Sequence, residues 1–276
     1  MRFSKMHGLG NSFVMMDDRR DEVSGGVDLR ALAREACDPR FGIGADGLIL
    51  VRASATADLA MRIINEDGSE AEMCGNGVRC LARFAAARGM TDRAELSIET
   101  PAGVIRTRLL GGVLVEVDMG EPRLRTADVC APGPEPVAVD EQGLRFLFVS
   151  MGNPHAVTFV NDFDFDWKAR GAAVERSPAF PNRTNVEFVR VAGPREAEVK
   201  VWERGCGETM ACGTGACAVA VAGALSGRLE RAPVTVCLPG GALTIHFTPQ
   251  GRVLMTGPTV LVCEGDYFPG PGTGVA

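Results

Sequence analysis

An internal duplication constrains the fold of this 276-residue chain more than any other feature of its sequence. A shift of 138 positions carries Cys74 onto Cys212, and it carries a glutamate, a proline and several glycines onto identical residues in the same order. The other matched pairs are Glu70 and Glu208, Gly75 and Gly213, Gly77 and Gly215, Gly89 and Gly227, Pro101 and Pro239, and Gly103 and Gly241. Ordered matches at one offset indicate two similarly folded halves.

Each half contains one apolar helix flanked by strand-forming sequence. The second helix, expected at Ala216 to Leu225, has no charged residue, and a helix that is apolar all round must be buried on all sides. The first helix, expected at Val78 to Arg88, carries Arg79 and Arg83 on one face, which we expect to meet solvent or the other half. We therefore predict an α+β fold with two pseudo-symmetric duplicated domains. Each is predicted to be a curled, mostly antiparallel sheet around a central apolar helix, with the active site in the cleft between them.

The repeat also predicts the domain boundaries. The first domain is expected to span residues 1–118 and to carry Cys74, and the second is expected to span residues 119–261 and to carry Cys212. A variable stretch that ends at Gly143 is expected to link the halves. The C-terminal segment, residues 262–276, is expected to return to the first domain as a strand and to end in a loose tail.

Composition argues against several classes of partner. The formal net charge of −6 disfavours nucleic acid and anionic membranes, and the most apolar helix has about half the length of a membrane span. The N-terminus lacks the pattern of a secretory signal, so we expect a cytoplasmic protein with reduced cysteines. Those nine cysteines lack the Cys-x-x-Cys spacing of common zinc sites, so no metal is predicted. The sequence does not decide between a monomer and a homodimer.

The two cysteine loops indicate the chemistry. Cys74 and Cys212 each precede a helix, where backbone N–H groups and the helix dipole favour thiolate over thiol. Two thiols on opposite sides of one carbon suit the removal of a proton from one face and its return to the other, which is racemisation or epimerisation. One thiol must then be ionised and the other protonated. Backbone N–H groups can hold the carboxylate of a small amino-acid substrate in place of any cofactor. These donors belong to Gly75, Asn76, Gly213 and Thr214.

Six stretches, taken as a set, resemble the diaminopimelate epimerase family over nearly the whole chain. They are residues 3–11 (FSKMHGLGN), 65–68 (NEDG), 74–77 (CGNG), 150–155 (SMGNPH), 203–205 (ERG) and 211–215 (ACGTG). The resemblance implies a cofactor-independent isomerase that interconverts LL- and meso-2,6-diaminopimelate in lysine and peptidoglycan precursor biosynthesis. It also implies that Cys74 and Cys212 are the acid/base pair of that reaction.

The resemblance assigns roles to residues outside the two loops as well. Six residues lie at positions where the family binds substrate: Asn11, Asn65, Asn153, Asn185, Glu203 and Arg204. Two more, His155 and Glu208, lie at positions where the family tunes the pKa of the thiols.

Three alternatives stay open at this point. The two cysteines can instead form a regulatory disulfide. A non-catalytic, two-lobed module that binds an amino acid also explains a cleft, although it gives no reason for a cysteine in each loop. A two-thiol racemase of the proline type is the nearest enzymatic alternative, and Asn76 argues against it because that family has a histidine there.

Overall fold

The computed structural model describes residues 1–71, 73–124, 143–270 and 273. It divides into two compact units, which are Met1–Val117 with Gly257–Ala276, and Asp118–Thr256. Residues 257–261, which the sequence-based division assigned to the second half, lie in the first unit. The expected linker falls largely on residues 125–142, and most of the expected tail falls on residues 271, 272 and 274–276. Both of these stretches lie outside the described residues.

The first unit is built on strands that pair mostly antiparallel. Its elements up to residue 118 are β1 (Arg2–Gly8), β2 (Asn11–Asp17), α1 (Leu29–Cys37), β3 (Gly47–Arg52), β4 (Leu59–Asn65), β5 (Glu70–Ala71), α2 (Gly75–Ala87), β6 (Glu95–Thr100), β7 (Gly103–Leu109) and β8 (Leu114–Asp118). The pairs β1–β2, β3–β4, β4–β5 and β6–β7 are antiparallel, while β2–β3 and β4–β6 are parallel. The two parallel pairs are the points at which a helix lies between the strands in sequence.

The second unit repeats this order element by element. Its elements are β9 (Leu147–Ser150), β10 (Pro154–Phe159), α3 (Trp167–Glu175), β11 (Asn185–Gly193), β12 (Glu196–Glu203), β13 (Gly207–Glu208), α4 (Gly213–Leu225), β14 (Pro233–Leu238), β15 (Gly241–Phe247) and β16 (Val253–Pro258). The parallel pairs are again the second with the third strand, β10–β11, and the fourth with the sixth, β12–β14. The predicted α+β class and the predicted duplication are therefore confirmed.

One strand has no counterpart in the repeat. β17 (Val260–Asp266) follows the second unit in sequence but pairs antiparallel with β1, with Arg2 opposite Asp266. Next to this pair, the Met1 ammonium donates to the Tyr267 carbonyl oxygen at 2.7 Å. The two ends of the chain are thus joined within the first unit.

A central helix fills the inside of each sheet. α4 contacts β9, β10, β11, β14 and β15, and α2 contacts β1, β2, β3, β4 and β7. Each helix thus touches strands from both ends of its own sheet, as expected if the sheet curls around it. Ten of the thirteen residues of each helix are buried. In the described part of the chain, every helix is too short or too polar to cross a membrane.

Of the two environments expected for the charged face of α2, solvent is wrong for Arg79. Its side chain is fully buried, and its guanidinium donates to Asn76 Oδ1 at 2.8 Å and to the Gly75 carbonyl oxygen at 3.4 Å. Hydrogen bonds of this kind offset part of the large cost of burying a charged group. The charge therefore faces the start of its own helix.

The outer helices cover the opposite face of each sheet. α1 begins at the N-cap Asp28, whose carboxylate accepts from the backbone N–H groups of Arg30 and Ala31. It buries Leu32 against Val14 and other apolar side chains of β2 and β3. In the second unit, α3 contributes Val174 to an aromatic-rich cluster. Each unit is thus a sheet between two helices.

We expect Gly223→Ala to destabilise the protein through the packing of α4. A methyl group at this position would lie 2.4 Å from Leu229 Cδ1 and 2.7 Å from Leu229 Cγ. Overpacking of this kind costs about 1–3 kcal/mol, which outweighs the gain of about 1 kcal/mol in helix propensity. Urea unfolding should therefore give a lower free energy of unfolding. The control is Gly193→Ala, where a methyl group meets no atom within 4 Å. Equal stability of the Gly223 variant and the parent protein would contradict this account.

Candidate active site

Each cysteine loop is the N-terminus of a buried helix. Cys74 and Cys212 are the N-cap residues of α2 and α4, and both have extended backbone conformations. Their carbonyl oxygens accept the first helical hydrogen bonds, from Val78 N at 2.9 Å and from Ala216 N at 3.0 Å. The helices therefore begin three residues earlier than expected from the sequence, and the glycines lie inside the first turn.

The early start determines which backbone donors are available. Gly75 and Asn76 are the first two residues of α2, and Gly213 and Thr214 are the first two of α4. The N–H groups of a first helical turn have no acceptor within the helix. In α4 the next N–H group, that of Gly215, donates to Cys212 Sγ at 3.4 Å. Each helix start can thus bind a carboxylate through backbone donors.

In the first unit, amide side chains surround Cys74. Its thiol donates to Asn11 Oδ1 at 3.6 Å, and Asn76 Nδ2 donates to the same oxygen at 3.2 Å. Asn11 Nδ2 in turn donates to Asp46 Oδ2 at 3.0 Å. Asn65 lies at the end of β4 and donates to Ser69 Oγ at 2.9 Å. The structure therefore brings Asn11, Asn76 and Cys74 into one hydrogen-bonded cluster.

In the second unit, a chain of polar contacts leads from Cys212 to a buried carboxylate. Cys212 Sγ lies 3.5 Å from Thr214 Oγ1, which accepts from Asn153 Nδ2 at 3.2 Å. Asn153 Oδ1 contacts His155 Nε2 at 3.1 Å, and His155 Nδ1 contacts Glu187 Oε1 at 2.6 Å. His155 and Glu187 are both fully buried. The structure thus joins three predicted site residues, Cys212, Asn153 and His155, through Thr214.

The remaining predicted residues lie at the end of β12, in the loop that follows it and at the start of β11. Glu203 accepts a hydrogen bond from the Thr209 hydroxyl, and its carboxylate raises the pKa of the Cys212 thiol. Asn185 is buried, and both ends of its amide are bonded to backbone: Oδ1 accepts from Arg204 N at 2.9 Å, and Nδ2 donates to the Pro154 carbonyl oxygen at 2.9 Å. Asn185 therefore anchors the loop that carries Arg204.

The electrostatics around Cys212 differ from the sequence-based expectation. Burial raises the pKa of this thiol well above its usual value, and the carboxylates of Glu203 and Glu187 raise it further. The Thr214 hydroxyl and the Gly215 N–H act in the opposite direction but are weaker. The helix start alone would favour thiolate, yet desolvation and two nearby anions outweigh it. Burial likewise raises the pKa of Glu203.

Among the described residues of the second unit, Glu208 forms no hydrogen bond with Cys212. Its side chain is exposed and forms an ion pair with Lys168 at 2.5 Å. The role assigned to it by the resemblance stays a prediction, and Glu203, whose carboxylate raises the pKa of Cys212, is a second candidate for that role. Sequence reasoning also missed Glu187. Its signal was an acidic residue inside the otherwise apolar start of β11, which a buried strand does not tolerate without a partner.

The same cluster has donor atoms that a soft metal ion accepts. A ring nitrogen of His155, a carboxylate oxygen of Glu187 and Cys212 Sγ all lie within 4.8 Å of one another. Both ring nitrogens of His155 are nevertheless hydrogen bonded, to Glu187 and to Asn153. The arrangement is thus already satisfied as a hydrogen-bond network, and the absence of a metal stays a prediction.

Comparison with known proteins identifies the family. The family profile described as diaminopimelate epimerase matches residues 3–125 and 147–262. The chain belongs to the diaminopimelate epimerase family. The diaminopimelate epimerase of Moorella thermoacetica is 52% identical over 279 residues, which cover 97% of this chain and 99% of that protein. The diaminopimelate epimerase of Carboxydothermus hydrogenoformans is 47% identical and covers 97% and 100%.

Solved structures with lower identity share the fold. A phenazine biosynthesis protein of the PhzF family from Bacillus anthracis superposes with a TM-score of 0.69 at 16% identity, covering 97% of this chain and 99% of that one. A hydroxyproline epimerase from Agrobacterium vitis gives 0.65 at 17% identity, covering 96% and 91%. At such identities the likeness concerns the fold alone.

We expect Glu203→Gln to make Cys212 easier to ionise, and Glu208→Gln to leave it unchanged. Removing a carboxylate whose charge raises the pKa of the thiol should lower that pKa. The measurement is the pH at which Cys212 is half alkylated by iodoacetamide, read from its proteolytic peptide by mass spectrometry. A shift to lower pH in the Glu203 variant supports the assignment. An equal shift in the Glu208 variant would restore the role implied by the resemblance.

Proposed function

We propose that this protein is a diaminopimelate epimerase that interconverts LL-2,6-diaminopimelate and meso-2,6-diaminopimelate by a two-base mechanism. The observation that carries the proposal is the N-capping cysteine at the start of the central helix in each unit. It is supported by 52% identity, over nearly the full length, to a protein named diaminopimelate epimerase. The reaction belongs to lysine and peptidoglycan precursor biosynthesis.

The proposed reaction moves one proton at a time. The ionised member of the Cys74–Cys212 pair takes the proton from the substrate Cα, and the bonding electron pair moves into the adjacent carboxylate as an enolate. The protonated member then donates its proton to the opposite face of the same carbon. Each thiol ends in the state in which the other began, so protons and charge balance. This proposal requires both sulfur atoms to reach one Cα from opposite sides.

The main barrier is the charge of the enolate, because a Cα–H is a very weak acid. Backbone N–H donors aimed at a developing oxyanion are worth about 3–4 kcal/mol each in a closed site. Four such donors are proposed to hold the substrate carboxylate, and no cofactor is invoked. They belong to Gly75, Asn76, Gly213 and Thr214.

The polar side chains are proposed to fix the rest of the substrate. Asn11, Asn65 and Asn153 offer amide groups, which can donate to a carboxylate or accept from an ammonium group. Arg204 and Glu203, which are neighbours in sequence, offer a guanidinium and a carboxyl group suited to an amino-acid zwitterion. Asn185 contributes by holding that loop through its two backbone hydrogen bonds.

We also propose that the protein works in the cytoplasm, which is a reducing compartment. The mechanism consumes no electrons, but it needs both thiols in reduced form, and an oxidising compartment would favour their disulfide.

A homodimer is part of the proposal. The first unit exposes a set of large apolar side chains on β7, the β7–β8 turn, β8 and the start of β17. They are Val104, Leu110, Val113, Leu114, Val260, Leu261 and Val262. Thr259 N donates to the Val113 carbonyl oxygen at 2.8 Å, so the start of β17 and the β7–β8 turn are neighbours. Contiguous exposed apolar surface is typical of a protein interface.

The epimerase proposal is tested with LL-diaminopimelate in deuterated water without added cofactor. We expect deuterium at one α-carbon together with formation of the meso isomer. Cys74→Ala and Cys212→Ala should each lower turnover by about 100-fold or more, because each removes a catalytic acid/base. Cys206→Ala is the control, since Cys206 is exposed and should retain activity within about twofold. Substrate binding without exchange would instead indicate a binding module.

The dimer is tested by sedimentation. We expect the parent protein to sediment as a dimer at micromolar concentration, and Leu261→Glu to sediment as a monomer, because it places a charge in the apolar contact. Thr244→Glu, an exposed substitution on β15, is the matched control and should stay dimeric. A monomeric parent protein would contradict the proposal.

A further inference from the structure

Asp46 is an exposed residue just before β3, and its side chain lies beside the start of β2. One carboxylate oxygen, Oδ2, accepts from Asn11 Nδ2 at 3.0 Å, from Ser12 N at 2.6 Å and from Ser12 Oγ at 3.3 Å. The backbone also holds this residue, because Asp46 N donates to the Ser12 carbonyl oxygen at 3.0 Å and Glu66 N donates to the Asp46 carbonyl oxygen at 3.2 Å. The carboxylate is therefore fixed in position although it is exposed.

Arg79 lies at the opposite end of the same hydrogen-bonded group. Its side chain is fully buried, and Nη2 donates to Asn76 Oδ1 at 2.8 Å. A methyl group at Gly8 would lie 2.9 Å from this nitrogen, so the glycine leaves room for the guanidinium. Asn76 Nδ2 donates in turn to Asn11 Oδ1 at 3.2 Å. These contacts complete a relay of four side chains, which are Arg79, Asn76, Asn11 and Asp46.

The two ends of the relay cannot exchange roles. A guanidinium offers only hydrogen-bond donors, and an ionised carboxylate offers only acceptors. Each amide between them has one amino group and one oxygen, so by itself it can face either way. Because Arg79 donates to the oxygen of Asn76, the amino group of Asn76 faces Asn11. The oxygen of Asn11 accepts from it, which leaves the amino group of Asn11 for Asp46.

The orientation of the Asn11 amide decides which group the Cys74 thiol meets. In the structure, the thiol donates to Asn11 Oδ1 at 3.6 Å. With the amide reversed, its amino group would face two donors, the thiol and the amino group of Asn76, and its oxygen would face the Asp46 carboxylate. The reversed amide would thus lose these three hydrogen bonds together, so the relay disfavours it.

We propose, as a deepening of the epimerase function on which it rests, that Asp46 is a positioning residue for Cys74 that acts through Asn11. It holds the Asn11 amide with its oxygen toward the thiol, and so fixes the direction of the S–H bond at the start of α2. Arg79 fixes the same orientation from the buried end. The charge of Asp46 is not required, because the hydrogen bonds from Asn11 and Ser12 end on one oxygen, which an asparagine can also present.

The first test compares two substitutions of Asp46. Asp46→Ala removes the acceptor, and kcat/KM for LL-diaminopimelate should fall about tenfold or more, since partners that orient a functional side chain contribute on this scale. Asp46→Asn keeps an oxygen in place and should restore kcat/KM to within about threefold of the parent protein. Equal losses in the two variants would overturn the proposal, because the charge would then matter and not the accepting oxygen.

The matched control is Asp17→Ala. Asp17 is also an exposed carboxylate, but it lies at the other end of β2 and pairs with Arg19. We expect kcat/KM within about twofold of the parent protein, as for most surface substitutions. A loss as large as that of Asp46→Ala would overturn the specific role of Asp46.

The second test asks whether Asp46 acts through Asn11. Asp46→Ala is measured again in an Asn11→Ala background, where there is no amide to orient. We expect a further change in kcat/KM of less than about twofold, because two residues that act through one contact are not additive. A merely structural loss, such as looser pairing of β2 with β3, would persist in both backgrounds. An equal effect of Asp46→Ala in the two backgrounds would overturn the proposal.

The third test needs neither substrate nor activity. The side-chain amino group of Asn11 is observed in proton–nitrogen NMR spectra and assigned by its loss in Asn11→Ala. Its hydrogen exchange with water should be about threefold faster or more in Asp46→Ala, where one hydrogen bond is lost, and within about twofold of the parent protein in Asp46→Asn. Unchanged exchange in Asp46→Ala would overturn the proposal. Absence of deuterium exchange at the substrate in the parent protein would overturn the epimerase function, while this measurement would still decide the orientation of the amide.

Discussion

Burial of an apolar helix inside each curled sheet is the constraint on which the rest of the structure depends. α2 and α4 are covered along most of their length, so their first turns are where they meet polar groups. A helix start carries unsatisfied N–H groups and partial positive charge, which must be matched by acceptors. In the first unit, the Cys74 cap and the asparagines around it lie at this helix start. In the second unit, the Cys212 cap lies there together with nearby carboxylates.

The two units share their backbone fold, but they differ in the charged side chains near the two cysteines. The order of strands and helices and the positions of the parallel pairs are the same in both units. The side chains at the helix starts differ, with Arg79 in one unit and the pair His155–Glu187 in the other. A shared fold thus supplies similar backbone geometry, and a few substitutions give the two helix starts unequal surroundings.

Much of the fold could be predicted from one sequence because its signals are strong. α4 has no charged residue, and a helix that is apolar on every side is stable only when it is buried. The ordered matches at one offset indicate a repeat. The sequence predicts both helix starts three residues too late, because glycine is a poor helix former and the cysteine cap that allows glycine in the first turn is not a common N-cap residue. The burial of Arg79 could not be predicted, because its hydrogen bonds to Asn76 and Gly75 depend on the helix beginning at Gly75.

The candidate site was predicted where a motif is local and missed where contacts are long-range. The matched glycines after each cysteine identified Cys74 and Cys212, and the family resemblance identified Asn11 and Asn153. Glu187 lies 25 residues from Cys212 in sequence, and only the packing of β11 against α4 brings them together. Glu203 and Glu208 lie only five residues apart, and the sequence does not show that the first accepts from Thr209 while the second pairs with Lys168.

The path of β17 has a consequence for the order in which the protein can form during synthesis. The second unit is made of one continuous segment, Asp118–Thr256, so all of its strands exist once that segment has left the ribosome. The first unit must wait for β17, because β1 pairs along its length with residues near the far end of the chain. Domains made early usually fold first. In this chain the later half can be completed while the earlier half still has an unpaired strand edge at β1, which a chaperone or a second nascent chain could reach.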